Sequence, residues 1–172
     1  MLNSEMTIEN SAKSIDANIL LDYILQSSLR DQDRKNKVTK LFHPANKGNW
    51  EIRIFVYTLG EVFKRLLGER DGKSEDFGDS KIQIHLKEVQ RWVGEKSLVL
   101  VKIDDFPVED FRRHYKEIDR KDLMIQQGDK LVLSAFCADK SAKSFYSSDR
   151  GIIQSTWLQE YVSKLGKKIQ EP

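Results

Sequence analysis

The sequence predicts an α/β fold: a three-layer α/β/α sandwich with a mostly parallel central sheet. Three observations carry that expectation. Short β-branched or continuously apolar runs, such as "EIRIFVYT" and "SLVLVKID", alternate with segments whose apolar residues recur at helical spacing. A length of 172 residues with 39% hydrophobic content suits one domain with a proper core. No internal repeat or low-complexity segment interrupts the alternation.

Residues 1–12 are polar and aperiodic and read as a flexible N-terminal extension, in which Met6 offers an alternative start. Residues 13–172 read as a single domain, with order beginning near Ala12. "AKSID" is a first strand, poor in apolar residues for a central position, and Asp16 marks its junction with a helix whose stripe is Ile19, Leu20, Tyr23, Ile24 and Leu25. "RDQDRKNKVTK" carries five basic and two acidic residues and reads as a solvated helix end, and "HPANKGN" as a turn-rich connection. "EIRIFVYT" is a second strand, and "LGEVFKRLLGE" a helix through Val62, Phe63, Leu66 and Leu67, with Glu61 in its first turn.

"RDGKSEDFGDS" reads as a loop. Ile82, Leu86, Val89 and Val93 then step by four, three and four residues along an amphipathic helix ending at Gly94. This loop and helix, residues 70–94, exceed what a compact domain needs and can be an insertion that serves a partner or covers a substrate. "SLVLVKID" reads as a buried strand. Pro107 suits a helix start, with Val108, Phe111, Tyr115 and Ile118 on the inner face. "GDKLVLSAFCADKSAK" is apolar around most of its circumference, so it is expected as a helix buried between layers and beginning at about Asp129. "SFYSSD" is the next strand, "STWLQEYVSKLG" a helix closed by Gly166, and "KKIQE" a final short strand.

A net charge of +2, from 29 basic and 27 acidic residues, gives no global attraction to nucleic acid or membrane, so any nucleic-acid site must be local. The single cysteine, Cys137, allows no intrachain disulfide and reads as a buried thiol. No run reaches the ~18 apolar residues of a membrane span. The N-terminus has no signal-peptide block, and a cytoplasmic protein is expected.

Ligands of open parallel sheets gather beyond the carboxyl ends of the strands. Asp16 and Asp149 close strands there, Glu61 follows the second strand, and Asp129 opens the buried helix that feeds the next strand. Each acid alone has a plain structural account as a helix cap, a turn former or a charge beside a helix N-terminus. Together they repel, and a divalent cation is a natural remedy. Oxygen donors suit Mg²⁺ or Mn²⁺, whereas His43, His85 and His114 show no zinc-like spacing with Cys137. Asp104 and Asp139 are spare acids, expected to be solvated.

The stretches "SIDANILLDYIL", "FVYTLGEVFKRLL", "GDKLVLSAFCADK" and "SFYSSDRGI" resemble, in order, the motifs of the PIN-domain nuclease family over nearly the whole ordered chain. The matches are Asp16 and Asn18 in an Asp-x-Asn motif, Thr58 followed by Glu61, Asp129 opening an alanine-containing helix, and Ser147 with Asp149 after a strand. The resemblance implies metal-dependent cleavage of RNA, a homodimer, and in many members an antitoxin protein as partner. It makes Asp16, Glu61, Asp129 and Asp149 the expected catalytic and Mg²⁺ or Mn²⁺ ligands, directly or through water. Asn18 and Thr58 would orient those acids, and Ser148 and Arg150 would contact phosphate. Two alternatives are a PIN-like scaffold that binds RNA or protein without turnover, and a haloacid-type phosphatase, whose usual second Asp is here Asn18.

Overall fold

The computed structural model describes residues 12–25, 30–46, 50–67, 78–95, 98–121 and 124–172. The expected extension 1–12 therefore lies outside the described residues except for Ala12, as does the predicted loop over residues 70–77. In chain order the elements are β1 (Ala12–Ile15), α1 (Ala17–Ile24), α2 (Gln32–Asn46), β2 (Ile52–Phe55), α3 (Val56–Leu66) and α4 (Gly78–Gly94). There follow β3 (Leu98–Val101), a 3₁₀ turn (Ile103–Asp105), α5 (Val108–Lys121), α6 (Gln127–Ala138), β4 (Ala142–Tyr146), α7 (Arg150–Ile153), α8 (Thr156–Lys164) and β5 (Lys168–Gln170).

The five strands form one all-parallel sheet in the order β3-β2-β1-β4-β5. Because alternate side chains of a strand face opposite sides of a sheet, this sheet has two cores. Ile15, Ile52 and Ile54 pack with α1 to α4 through residues such as Leu20, Phe42, Leu66 and Trp92. On the other face Phe55 and Phe145 pack with α5, α6, α7 and α8 through Ile118, Leu133, Phe136, Ile152 and Leu158. The result is the α/β/α sandwich the sequence predicts, with helices on both faces.

Several local expectations need correction, each for a physical reason. β1 is the central strand despite its polar composition; Lys13 fits because its Nζ sits 3.1 Å from the centroid of the Trp50 ring, a cation–π contact that tolerates partial burial. β3, predicted as buried on both faces, is an edge strand in which Val99 and Leu100 are only partly covered. α2 runs through the "HPAN" predicted as turn, its Val38, Leu41 and Phe42 being buried against α1, where Phe42 stacks on Tyr23 at 3.9 Å. β2 is shorter than predicted because α3 starts at Val56, so Thr58 stands in the first helical turn and Glu61 in the second. The inner face of α5 is Phe111, His114 and Ile118; Val108, expected inside, is half-exposed. α4 begins at Gly78, three residues inside the predicted loop.

α6 shows why its sequence is apolar nearly all round. Every residue from Val132 to Ala138 is buried, against the sheet on one side, where Phe136 meets Phe145, and against α5 on another. Its ends are finished differently. Asp129 lies in the first turn, whereas beyond the last turn Lys167 donates to the carbonyls of Phe136 (2.9 Å), Asp139 (2.5 Å) and Ala142 (2.6 Å). That buried ammonium thereby satisfies carbonyls that a helix end leaves without partners. Gly166 precedes it at φ 69°, a left-handed conformation that glycine adopts without strain. Asp139, expected to be solvated, is buried and accepts from Arg53 Nε at 2.6 Å, tying β2 to the end of α6; Asp104 is exposed as expected.

Candidate active site at the carboxyl edge of the sheet

The chain runs from β1 outward through β2 to β3, and returns on the other side of β1 as β4 and β5. The boundary between β1 and β4 is thus a topological switch point, where diverging connections leave a crevice beyond the strand ends. Asp16 follows β1 and Ser147 follows β4, so the crevice brings together residues 131 apart in sequence. Ser147 Oγ donates to Asp16 Oδ2 at 2.8 Å, and the same hydroxyl accepts from the Asp149 backbone N–H at 3.0 Å. Both Ser147 and Asp16 are buried.

Each acid is placed by its local structure. Asp16 is the N-cap of α1, with Oδ1 accepting from Ala17 N at 2.6 Å. Asp149 caps the short α7, which the sequence reading missed: its Oδ1 accepts from Gly151 N at 2.7 Å and Ile152 N at 3.3 Å. It stands three residues beyond the end of β4 rather than at it. Glu61, on α3, is paired with Arg65 one turn later, 2.5 Å away. Asp129 lies in the first turn of α6, and no hydrogen bond to its carboxyl from the described residues contributes to its electrostatics.

Electrostatics couples Asp129 to the other three acids. Asp129 is pushed up from 3.8 to about 7, chiefly by burial and then by the charges of Asp16, Glu61 and Asp149, with Arg65 opposing. Asp16 is raised as well, first by burial; the bonds from Ser147 and Ala17 pull it back, Glu61 raises it and Arg65 lowers it. Two acids are therefore raised above the ordinary carboxylate range, in one field made by side chains from α1, α3, α6 and the β4–α7 connection.

Arg65 is the residue of this cluster that sequence reading missed. Its guanidinium donates to Glu61 and, through Nη1, to Asn18 Oδ1 at 2.5 Å. Asn18 acts on the acids through Arg65 and not by a direct bond as expected. The i to i+4 spacing of Glu61 and Arg65 on α3 was a readable signal for the pair. Thr58, expected to orient an acid, does not: it is fully buried and its Oγ1 has no hydrogen-bond partner among the described residues. Ser148 and Arg150 are exposed on the wall of an adjoining cleft of about 380 Å³, which Arg34, Lys37, Asp22 and Glu171 also line.

The donors present are all carboxylate and hydroxyl oxygens, a set that fits a hard divalent cation and not zinc or copper. Among the described residues no group of three or more His, Cys, Asp or Glu stands arranged to hold a metal ion. Glu61 is turned onto Arg65, and Asp149 is turned onto the amides of α7.

No family model matches the chain, and no curated protein matches it. Among solved structures it is similar to VapBC2 from Rickettsia felis bound to a DNA fragment from its promoter, at 11% identity and a TM-score of 0.59 over 93% of this chain and 98% of that one. At that identity the likeness establishes a PIN-like fold and nothing finer. Among the described residues no helix is long and apolar enough to cross a membrane.

Proposed function

We propose that the protein is a Mg²⁺- or Mn²⁺-dependent endoribonuclease that hydrolyses phosphodiester bonds of RNA. The observation that supports it best is the carboxyl of Asp129, raised to about 7 by burial and by three acids distant in sequence. Uncompensated negative charge concentrated at a switch point suits a site that becomes complete when a cation enters. Asp16 and Asp129 would be its principal holders; Glu61 would join them by leaving Arg65, and Asp149 would do so through a carboxyl oxygen or an intervening water.

A divalent ion in this position supplies acidification of water and neutralisation of charge on the phosphodiester. The chain's own residues do the rest. Ser147 and the Ala17 amide hold Asp16 in one orientation, and its remaining lone pairs would serve the cation. Arg65, bonded to Asn18 and Glu61, offsets part of the negative field at Asp129 and Asp16. Ser148 and Arg150 would meet phosphate groups of the strand leading into the crevice, Arg150 as a charged donor. A role as the toxin of a toxin–antitoxin pair, with the antitoxin protein as partner, is supported by the PIN-like motifs and by the VapBC2 neighbour.

Incubating the purified protein with end-labelled single-stranded RNA tests the reading. Cleavage is expected with Mn²⁺, none with EDTA, and none from Asp16→Asn with Mn²⁺. RNA retention without cleavage by both proteins in Mn²⁺ would instead identify a binding scaffold. Release of phosphate from a small monoester, with RNA left intact, would identify a phosphatase.

A further inference from the structure

The opposite edge of the sheet carries a second hollow that the nuclease reading does not use. Its volume is about 370 Å³, within the range of small-ligand sites, and it lies where α6 ends and β4 begins. The length of α6 between Asp129 and Ala138 separates it from the acid cluster by roughly 13 Å, at the rise of an α-helix. Arg113, Lys140, Lys143 and Lys167 line it, against a single acid, Asp110.

The charges there do not cancel. Asp110 is taken by Arg113 at 2.7 Å, which leaves the guanidinium with donors to spare. Lys167 spends its donors on three backbone carbonyls, so it contributes charge and no free proton, and it neutralises the negative end of α6 that would otherwise repel an anion. Lys140 and Lys143 pair with no carboxylate among the described residues. The two other titratable groups on the wall add no negative charge. Cys137 is held as a thiol, its pKa raised to about 12 by burial, and His114 is held below 6.5, first by burial, then by Arg113 and Lys167 against Asp110. Lys167 is lowered to about 8, first by burial, with Lys143 and Arg53 adding to that against Cys137 and Asp139.

A built concentration of positive charge over an apolar floor calls for an anion with an apolar part. We propose that this hollow binds the phosphate group of a small phosphorylated ligand of nucleotide size, held by Lys140, Lys143 and Arg113, with Leu165, Ala138 and Cys137 against the rest of the molecule. The two lysines act as point charges, and the guanidinium supplies directed donors to the phosphate oxygens. His114 stands on the wall, its Nδ1 2.7 Å from the Tyr161 hydroxyl, a contact that fixes the ring.

Calorimetric titration of the full chain in EDTA, which keeps cations from the acid cluster, tests the site with inorganic phosphate, adenosine 5′-monophosphate and adenosine. The nucleotide is expected to bind with one site, more tightly than phosphate, and adenosine not at all. The exposed double variant Lys140→Ala/Lys143→Ala should weaken nucleotide binding by roughly tenfold or more, as loss of charge-assisted bonds implies. Asp16→Asn should bind as the wild type does. Absence of saturable nucleotide binding, unchanged affinity in the lysine variant, adenosine binding as tightly as the nucleotide, or loss of binding in Asp16→Asn would each overturn the proposal. None of these outcomes depends on whether the chain cleaves RNA.

Discussion

The two ends of α6 stand in opposite electrostatic worlds. At its start Asp129 feels the charges of Asp16, Glu61 and Asp149, relieved in part by Arg65. At its far end Arg113, Lys140, Lys143 and Lys167 surround a hollow with one acid, and that acid is already paired. Yet the molecule as a whole carries only +2. Near-neutral totals therefore conceal two strong local fields of opposite sign, separated by one helix. A further contrast concerns satisfaction. The buried cation of the basic end has three hydrogen-bond acceptors, whereas no hydrogen bond from the described residues relieves the raised carboxyl of Asp129 at the other end.

That contrast can be broken most directly at Asp129. In Asp129→Asn, RNA cleavage in Mn²⁺ is expected to fall by on the order of a thousandfold, the scale of losing a principal charge at a preorganised site. Metal-free stability should move the other way. A carboxyl raised from 3.8 to about 7 binds its proton more tightly in the folded chain, so folding stability declines as pH climbs through that window and the penalty is complete above it. A neutral amide at this position carries no such penalty. Denaturant titration at pH 8 in EDTA should show the variant about 2 kcal/mol more stable, after allowance for solvent screening, and no gain at pH 3.5. Equal stability at pH 8 would mean that burial and the neighbouring acids do not together raise Asp129 in the folded chain.

The basic end yields an effect of similar size and opposite sign. Lys167→Met keeps an apolar stem but leaves the carbonyls of Phe136, Asp139 and Ala142 without their donor, so a loss of about 2 kcal/mol is expected by denaturant titration at pH 7. An unchanged midpoint would show that water satisfies those carbonyls and that the basic end is as open as the acidic one. The smallest expected effect sharpens the account of the acid edge. Thr58→Val removes a buried hydroxyl that has no partner among the described residues and replaces it with a methyl of similar shape, so a gain of about 1 kcal/mol is expected in the metal-free protein. Should thermal unfolding show a loss instead, the hydroxyl has a partner that the cation-free arrangement does not display.

Much of the fold was legible because its signals are local. Strand runs, the four-three-four spacing of α4 and the apolar circumference of α6 are properties of short windows, and neighbouring residues largely decide them. Misjudged boundaries came from competing tertiary effects. α2 ran past its turn signals because Phe42 and Leu41 found a buried place on α1, and β2 ended early because Val56 began a helix. At the candidate site the four acids were individually visible as carboxylates at element ends. Their coupling was not, since the charges of Asp16, Glu61 and Asp149 act on Asp129 only once α6 is laid against the sheet.

What the sequence determined alone was the inventory: which short segments extend or coil, where caps can form, and that four acids fall at the ends of elements meant for one edge of a parallel sheet. The tertiary structure decided the couplings. Arg65 bridging Asn18 and Glu61, Ser147 joining Asp16 to the Asp149 backbone, and Lys167 closing α6 all link groups that helix pitch or sheet order brings together. Hydrogen bonds and charge repulsion act over a few ångströms of space whatever the separation along the chain, so their strength is fixed only when the layers have packed.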